Sequence, residues 1–320
     1  MKKVALASAS ASAILASLTA GTVNAATVYQ DDDKSLSIGG RAEARFNLSD
    51  KNKDGGTGNA FKDKSRARIN LKGKAKITDQ VTAFGKYEAE ISDSSDSTVK
   101  SRYVFAGFDT QAGAFSYGKQ DSAQVMLTDY TDILATFGGD AVDLVAGNED
   151  KRENNFLYAG EFNNFTVSAN YIAENNNADK DSDSYGIAAQ YAFPFGLSLG
   201  AGYVSGKDGV DVDANQYNLA ASYEFNNFYL AGTYASGENG KTDLTGYEFA
   251  TAYKIDKFIA QAVYNFKQSE TAGVKEDDKD YFALEGIYKF NKNLRTYAGY
   301  KFQQIDDQDD ELQMGIRYDF

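Results

Sequence analysis

The last ten residues of the chain alternate polar or small side chains with apolar ones and end on an aromatic residue. This alternation predicts a β-strand, because successive side chains of a strand point to opposite faces. One face carries Glu311, Gln313, Arg317 and Asp319. The other face consists of Leu312, Met314, Ile316, Tyr318 and Phe320. Two structures fit: an edge strand of a soluble β-sandwich, or a barrel strand whose apolar face contacts lipid.

The same alternation recurs along the chain, for example at Tyr217, Leu219, Ala221 and Tyr223. About ten residues that rise ~3.3 Å each and tilt by ~45° cover the ~25 Å apolar band of an outer-membrane barrel. We count sixteen such segments, and bacterial single-chain barrels have an even number. The segments are residues 36–47, 65–77, 80–92, 99–109, 113–120, 152–161, 165–173, 184–193, 197–204, 214–224, 228–236, 244–253, 257–267, 280–290, 294–303 and 311–320. The sequence therefore predicts an all-β, transmembrane antiparallel barrel.

The connections between these segments alternate in length. Short turns flanked by aromatic residues occur at residues 161–165, 193–196, 224–228, 254–258 and 290–293. Longer stretches rich in Asp, Asn, Gly and Lys lie between them, at residues 174–183, 205–213, 236–243, 267–279 and 304–310. Short turns at one rim and long polar loops at the other are typical of outer-membrane barrels.

The amino-terminal segment predicts export. Met1-Lys2-Lys3 precedes an uncharged apolar and small-residue stretch, residues 4–21, and Val23-Asn24-Ala25 has the form of a secretory cleavage site. We expect a signal peptide over residues 1–25 and a single barrel domain over residues 26–320. A retained anchor is the alternative, but the stretch barely reaches spanning length.

Composition narrows the chemistry further. The chain has no Cys and no His, so Cys-His and Ser-His nucleophiles and imidazole metal sites are unavailable. Its formal net charge of −13 argues against nucleic-acid binding. Acidic runs such as residues 306–310 lack the spacing of a calcium loop. We therefore expect no enzyme activity, no cofactor and no bound metal.

One connection is unusually long. About thirty residues separate Gln120 from Lys151, and they include the apolar residues Ile133, Leu134 and Phe137. A loop of this length in a compact domain is usually functional. Because apolar side chains are costly in water, we expect the segment to fold inward against the barrel wall and narrow a pore.

Residues 131–140, Thr-Asp-Ile-Leu-Ala-Thr-Phe-Gly-Gly-Asp, together with Tyr117-Gly118, resemble the third-loop constriction segment of the trimeric general diffusion porins of Gram-negative outer membranes. Residues 67–73, residues 101–107 and the terminal Phe320 resemble other stretches of that family. The resemblance implies a channel for passive diffusion of ions and small hydrophilic solutes.

The family pattern also implies site residues. Asp132 and Asp140, with Asp129 as a further acid, would face a basic wall of Arg41, Arg68, Arg102 and Arg152. Alternation supports the wall assignment, since Arg41 and Arg68 fall on the polar faces of their segments. Phe137, Gly138 and Gly139 would pack the loop, and Tyr318 and Phe320 would form the C-terminal barrel signal.

The resemblance further implies a homotrimer with a latching loop near residues 92–100, contacts with outer-membrane lipid and lipopolysaccharide, and insertion by the barrel-assembly machinery. Two other functions remain open: a channel selective for sugars or anions, and a surface receptor or adhesin on a barrel scaffold. Most aromatic residues fall on the lipid parity or at turns, which disfavours a sugar-guiding lumen. The loops are too short for a separate adhesive domain.

Overall fold

The computed structural model describes residues 25–53, 56–92, 99–174, 183–209 and 212–320. The predicted signal peptide falls almost entirely outside these residues, as does most of the predicted latching loop. The strands are β1 (Ala26–Gln30), β2 (Lys34–Leu48), β3 (Phe61–Asp63), β4 (Arg66–Thr78), β5 (Val81–Ser92), β6 (Val99–Thr110), β7 (Gly113–Gln120), β8 (Arg152–Phe162), β9 (Phe165–Ile172), β10 (Ser184–Ala192), β11 (Leu197–Lys207), β12 (Asp213–Phe225), β13 (Phe228–Asn239), β14 (Thr242–Ile255), β15 (Phe258–Thr271), β16 (Val274–Lys289), β17 (Leu294–Gln303) and β18 (Glu311–Asp319).

Helical structure is sparse in the described ranges. One α-helical turn, α1, covers Val125–Thr128, and two 3-10 turns cover Asp50–Asn52 and Ala146–Asn148. No helix within these ranges is long and apolar enough to cross a membrane.

Sixteen of the strands close into a ring. Each pairs in antiparallel fashion with its neighbours from β4 to β18, and β18 pairs with β2, which in turn pairs with β4. The closing register runs from Leu312 opposite Leu48 to Asp319 opposite Arg41. The short strands β1 and β3 add to β2 near its two ends. The predicted antiparallel barrel of about sixteen strands is confirmed.

The two faces of the barrel wall differ in polarity as the alternation predicts. On β12, Tyr217, Leu219 and Tyr223 are exposed, whereas Gln216 and Asn218 are fully buried. On β18, Met314, Ile316 and Tyr318 are exposed while Gln313, Arg317 and Asp319 are buried. This is the inverse of a soluble protein, and it is the arrangement of a barrel whose outside meets hydrocarbon.

Tight turns join the strands at one rim. Only two residues separate β8 from β9, β12 from β13, and β14 from β15. The first turn residue has a positive φ in each case: 56° at Asn163, 53° at Asn226 and 51° at Asp256. Asn and Asp tolerate this left-handed conformation better than most residues.

At the opposite rim, two of the predicted long loops are instead strands. β13 ends at Asn239 and β14 begins at Thr242, while β15 ends at Thr271 and β16 begins at Val274. The expectation of loops at residues 236–243 and 267–279 was therefore wrong. Polar side chains on both faces hid these strands, because a hairpin that continues into water does not need apolar alternation. Cross-strand polar pairs support it instead, such as Gln268 Nε2 donating to Asp277 Oδ1 at 2.7 Å.

Candidate functional site

The segment between β7 and β8, residues 121–151, packs against the polar face of the wall through apolar side chains. Ile133 and Leu134 are buried in a cluster with Tyr229, Ile259 and Tyr281. Leu127 and Tyr130 contact Ala188 and Ala220 in a second cluster. A third cluster joins Val142, Leu144 and Val145 to Val204, Ala214, Ala235 and Leu244. The apolar residues of the segment are thus removed from water, which favours this docked position.

Hydrogen bonds from wall side chains fix the segment. Glu248, on β14, accepts one hydrogen bond from Thr131 Oγ1 at 2.5 Å and another from the Ala141 backbone N–H at 2.7 Å. Gln261 Nε2 donates to the Ile133 carbonyl at 2.7 Å. Further contacts are Ala135 N–H to Glu285 at 3.0 Å and Leu144 N–H to Gln216 at 3.0 Å. None of these wall residues was among those predicted from the sequence.

Glycines on the wall make room for the segment. A Cβ atom at Gly246 would overlap the Ala141 carbonyl oxygen, and one at Gly299 would overlap the Thr136 hydroxyl. The backbone of the segment therefore lies directly against the sheet. A glycine on the polar parity of a strand is the sequence signal that could have located this contact.

The loop-packing residues contact their surroundings in different ways. Phe137 is partly buried against the cluster around Ile133, and its ring centroid lies 5.7 Å from Lys301 Nζ. Gly138 and Gly139 adopt positive φ values of 97° and 68°. A Cβ at Gly139 would come within 2.5 Å of Asp132 Cγ. The two glycines thus let the chain turn beside Asp132.

Two of the predicted acidic residues line a shared cavity of about 410 Å³. Asp129 and Asp132 reach this cavity and are exposed to it. Asp140 is not among the residues that line it. Its carboxylate instead accepts hydrogen bonds from Lys279 Nζ at 2.6 Å and from the Tyr281 hydroxyl at 2.7 Å, which ties the segment to β16.

Three of the predicted basic residues line the same cavity: Arg41, Arg68 and Arg102. Each contacts a wall carboxylate. Arg102 Nε lies 2.8 Å from Glu88, Arg41 Nη2 lies 3.9 Å from Glu43, and Arg68 pairs with Glu90. Arg152 is buried elsewhere, with its guanidinium 3.6 Å from Glu149.

Other charged residues of the cavity were not predicted. Lys72, Lys86, Lys151 and Arg317 are also in its lining. Lys72 and Arg317 could have been found by the alternation rule, since both share the polar parity of their strands. Lys151 lies at the end of the segment, with a φ of 56°, where no alternation exists to predict it.

The surroundings of the two cavity acids change their proton affinity. The wall displaces water from both carboxyl groups, which raises the pKa of Asp129 to about 7 and that of Asp132 to about 6. Repulsion by neighbouring acids adds to the rise, and Lys151 opposes it.

Asp129 and Asp132 of the segment and Arg41, Arg68 and Arg102 of the wall thus line one cavity. In the described part of the chain, no group of three or more acidic side chains is arranged to hold a metal ion. The side chains of Tyr318 and Phe320 are exposed at the outer face of the barrel wall. Phe320 exchanges two backbone hydrogen bonds of 3.0 Å with Gly40.

Comparisons with known proteins agree with this architecture. The family model described as "Gram-negative porin" matches residues 9–308. Porin-like protein L of Photobacterium profundum is 40% identical over 337 residues, covering 96% of this chain and 98% of that protein.

Two solved structures share the fold. OmpF of Salmonella typhi, in complex with daunomycin, gives a TM-score of 0.81 at 22% identity, covering 92% of this chain and 100% of the other. The trimer form of OmpT, an outer membrane protein of Vibrio cholerae, gives 0.75 at 20% identity, with 90% and 100% covered. The chain therefore belongs to the Gram-negative porin family, and it is a diffusion channel of the outer membrane rather than an enzyme.

Proposed function

We propose that residues 121–151 fold into the lumen and that Asp129 and Asp132, facing Arg41, Arg68 and Arg102, form the narrowest part of the pore. One observation carries the proposal: the acids of the segment and the arginines of the wall line a single cavity. The docking of the segment on the polar face supports the same location, because that face encloses the interior of a membrane barrel.

Opposed charges across a narrow aqueous gap produce a field perpendicular to the pore axis. This field orients polar solutes, and it penalises apolar solutes that displace ordered water without replacing its hydrogen bonds. No energy source is involved, so transport is passive. In this arrangement Asp140 anchors the segment and Arg152 supports its end, rather than lining the gap.

Charge neutralisation tests the constriction. In planar bilayers, the double variant D129N/D132N is expected to shift the reversal potential towards anion selectivity, and the shift should shrink at high ionic strength because salt screens the remaining charges. E149Q is the matched control, since it removes one exposed acid of the same segment that does not line the cavity. A reversal potential unchanged in the double variant at low salt would overturn the assignment.

The assembled protein is proposed to be a homotrimer. OmpT of Vibrio cholerae, which shares the fold, is described in a trimer form. On the outer face of β4 and β5, Gly73 lies opposite Gly85 and Ala75 lies opposite Ala83. These small residues line an apolar groove of about 630 Å³. Close approach of a second copy is easiest where side chains are small, which supports an interface on this face.

Biogenesis follows from the two chain termini. Residues 1–25 act as a signal peptide, and the barrel of residues 26–320 is inserted by the assembly machinery, which reads Tyr318 and Phe320. The exposure of both aromatic side chains supports this role.

The tight turns face the periplasm, and the outer surface contacts lipid and lipopolysaccharide. The pore passes small hydrophilic solutes without a fixed substrate.

A further inference from the structure

A second cavity lies further along the lumen wall towards the tight-turn rim. Its volume is about 620 Å³, and it is lined mainly by β4, β5, β6 and β8. Lys72 and Lys86 belong to the lining of both cavities, so the second cavity adjoins the first. Its other charged and aromatic lining residues are Lys74, Phe84, Phe105, Asp109 and Glu161.

The lysines of this cavity differ in whether a neighbouring carboxylate neutralises their charge. Lys72 lies directly opposite Lys86 in the β4–β5 register, and like charges at such positions repel. Lys86 is compensated, because its Nζ is 3.6 Å from Glu88 and 3.6 Å from the Tyr103 ring centroid. Among the residues that the structure describes, neither Lys72 nor Lys74 has a carboxylate within ion-pair distance. Two uncompensated ammonium groups therefore face the cavity.

Aromatic side chains flank these ammonium groups. Phe84 lies opposite Lys74 in the register, and Phe105 lies opposite Lys86. The two rings form an edge-to-face pair with centroids 6.4 Å apart. Apolar wall residues such as Ile259 and Val204 are covered by residues 121–151, whereas these two rings leave an apolar surface open in the cavity. It suits a solute that carries an apolar body.

The acidic residues of the cavity limit the charge that a bound solute can carry. Asp109 lies on β6 and Glu161 on β8, two and four strands away from Lys74. Because adjacent strands are about 4.8 Å apart, these carboxylates stand at the far side of the cavity from the lysines. They repel a second negative group there. The cavity is therefore suited to one anionic end and a neutral body.

We propose that this cavity binds small organic monoanions with an aromatic or apolar body: the anionic group contacts Lys72 and Lys74, and the body packs on Phe84 and Phe105. The proposal rests on the proposed pore, since the site is reached only through the lumen. An otherwise unselective channel thus has a binding site that retains one class of solute.

Benzoate is a suitable probe, and acetate is its control of equal charge without the ring. At constant ionic strength in planar bilayers, benzoate should lower single-channel conductance in a saturable manner, and acetate should not. The double variant K72Q/K74Q is expected to weaken the apparent affinity for benzoate about tenfold, which corresponds to the loss of two exposed ion pairs. F84A should weaken the effect of benzoate while leaving conductance in acetate unchanged.

K76Q is the matched control variant. Lys76 lies on the same strand and parity, but it pairs with Asp79 at 2.6 Å and does not line the cavity. An equal loss of affinity in K76Q, or an equal effect of acetate and benzoate, would overturn the subsite. These outcomes leave conductance in plain salt intact, so they are distinct from a failure of the pore itself, which would appear as no conductance in any salt.

Discussion

At the scale of single residues, the protonation of Asp129 and Asp132 decides how the proposed constriction responds to pH. Their pKa values are raised by the surrounding wall and by the acids Asp121 and Asp140. Lys151 is the nearby cation that opposes the rise, and burial lowers its own pKa to about 8. The segment therefore loses negative charge under milder acid than ordinary surface carboxylates, which titrate near pH 4.

A pH titration of selectivity follows from this. A raised pKa means that the carboxyl group is neutral below that value, so acidification from pH 7.5 to about pH 5 should move the reversal potential towards anions. The measurement is the reversal potential in a fixed salt gradient across this range. D129N/D132N should flatten the response, and an equally steep curve in that variant would assign the titration to other groups.

Residue-level prediction worked where strand alternation applies. Arg41 and Arg68 were predicted on the inner face because they share the polar parity of their strands, and Arg102 was predicted from the family resemblance. All three line the cavity. Alternation cannot predict contacts of an irregular segment. Asp140 looked equivalent to Asp132 in sequence, yet Lys279 and Tyr281 hold it against β16. Glu248 was missed because its partners are 117 and 107 residues away in sequence.

At the scale of elements, the segment of residues 121–151 packs closely against the strand β14. Gly246 provides the contact, since no side chain separates the sheet from the Ala141 backbone. Glu248, two residues further on the same face, holds the Ala141 N–H. A buried N–H that loses its acceptor costs about 1–3 kcal/mol, so a small displacement here is expensive.

Gly246→Ala is expected to displace the segment. The new Cβ overlaps a backbone oxygen, which cannot rotate away as a side chain can, so residues near Ala141 must shift. Single-channel recordings should show a changed and noisier open conductance, while the barrel remains resistant to unfolding by heat in detergent. Gly85→Ala is the control, because its nearest neighbour outside the adjoining residues is 3.6 Å away. An unchanged conductance in Gly246→Ala would contradict the close contact.

Element-level prediction was accurate for the strands inside the apolar band and poor beyond it. The tight turns were found because an aromatic residue adjoins a short run containing Asn, Asp or Gly at each of them. The predicted strands of the β13–β14 and β15–β16 hairpins were too short, because the outer ends of these hairpins are polar on both faces and resemble loops in sequence. Backbone pairing, which leaves no side-chain pattern, extends them.

At the scale of the whole molecule, closure of the ring and the uneven outer surface are the main features. Around most of the barrel, the outside carries large aromatic and aliphatic side chains, including Leu219, Phe249 and Phe282. On β4 and β5, a patch of small residues interrupts such side chains: Gly73 lies opposite Gly85, and Ala75 lies opposite Ala83. The sequence predicted the ring through its sixteen segments, but the location of this small-residue patch needed the register of neighbouring strands.

Gly73→Phe tests the proposed interface. A Cβ at Gly73 has no neighbour closer than 4.0 Å, so the barrel accepts a large side chain there, whereas a neighbouring copy does not. Trimers should dissociate at a lower temperature on semi-native electrophoresis, and the folded monomer should persist. Ala221→Phe, on the outer face of β12, is the control. Equal destabilisation by both variants would show that the interface lies elsewhere.

The hairpins of β13 to β16 have a mechanical consequence. At ~3.3 Å per residue and a tilt of ~45°, the sixteen residues of β16 reach about 37 Å, well past the ~25 Å apolar band. This part of the rim is a rigid extension of the sheet, since each of its strands is hydrogen-bonded to the next. The hydrogen bonds hold it away from the entrance, so voltage-dependent closure of the channel should originate in another part of the protein.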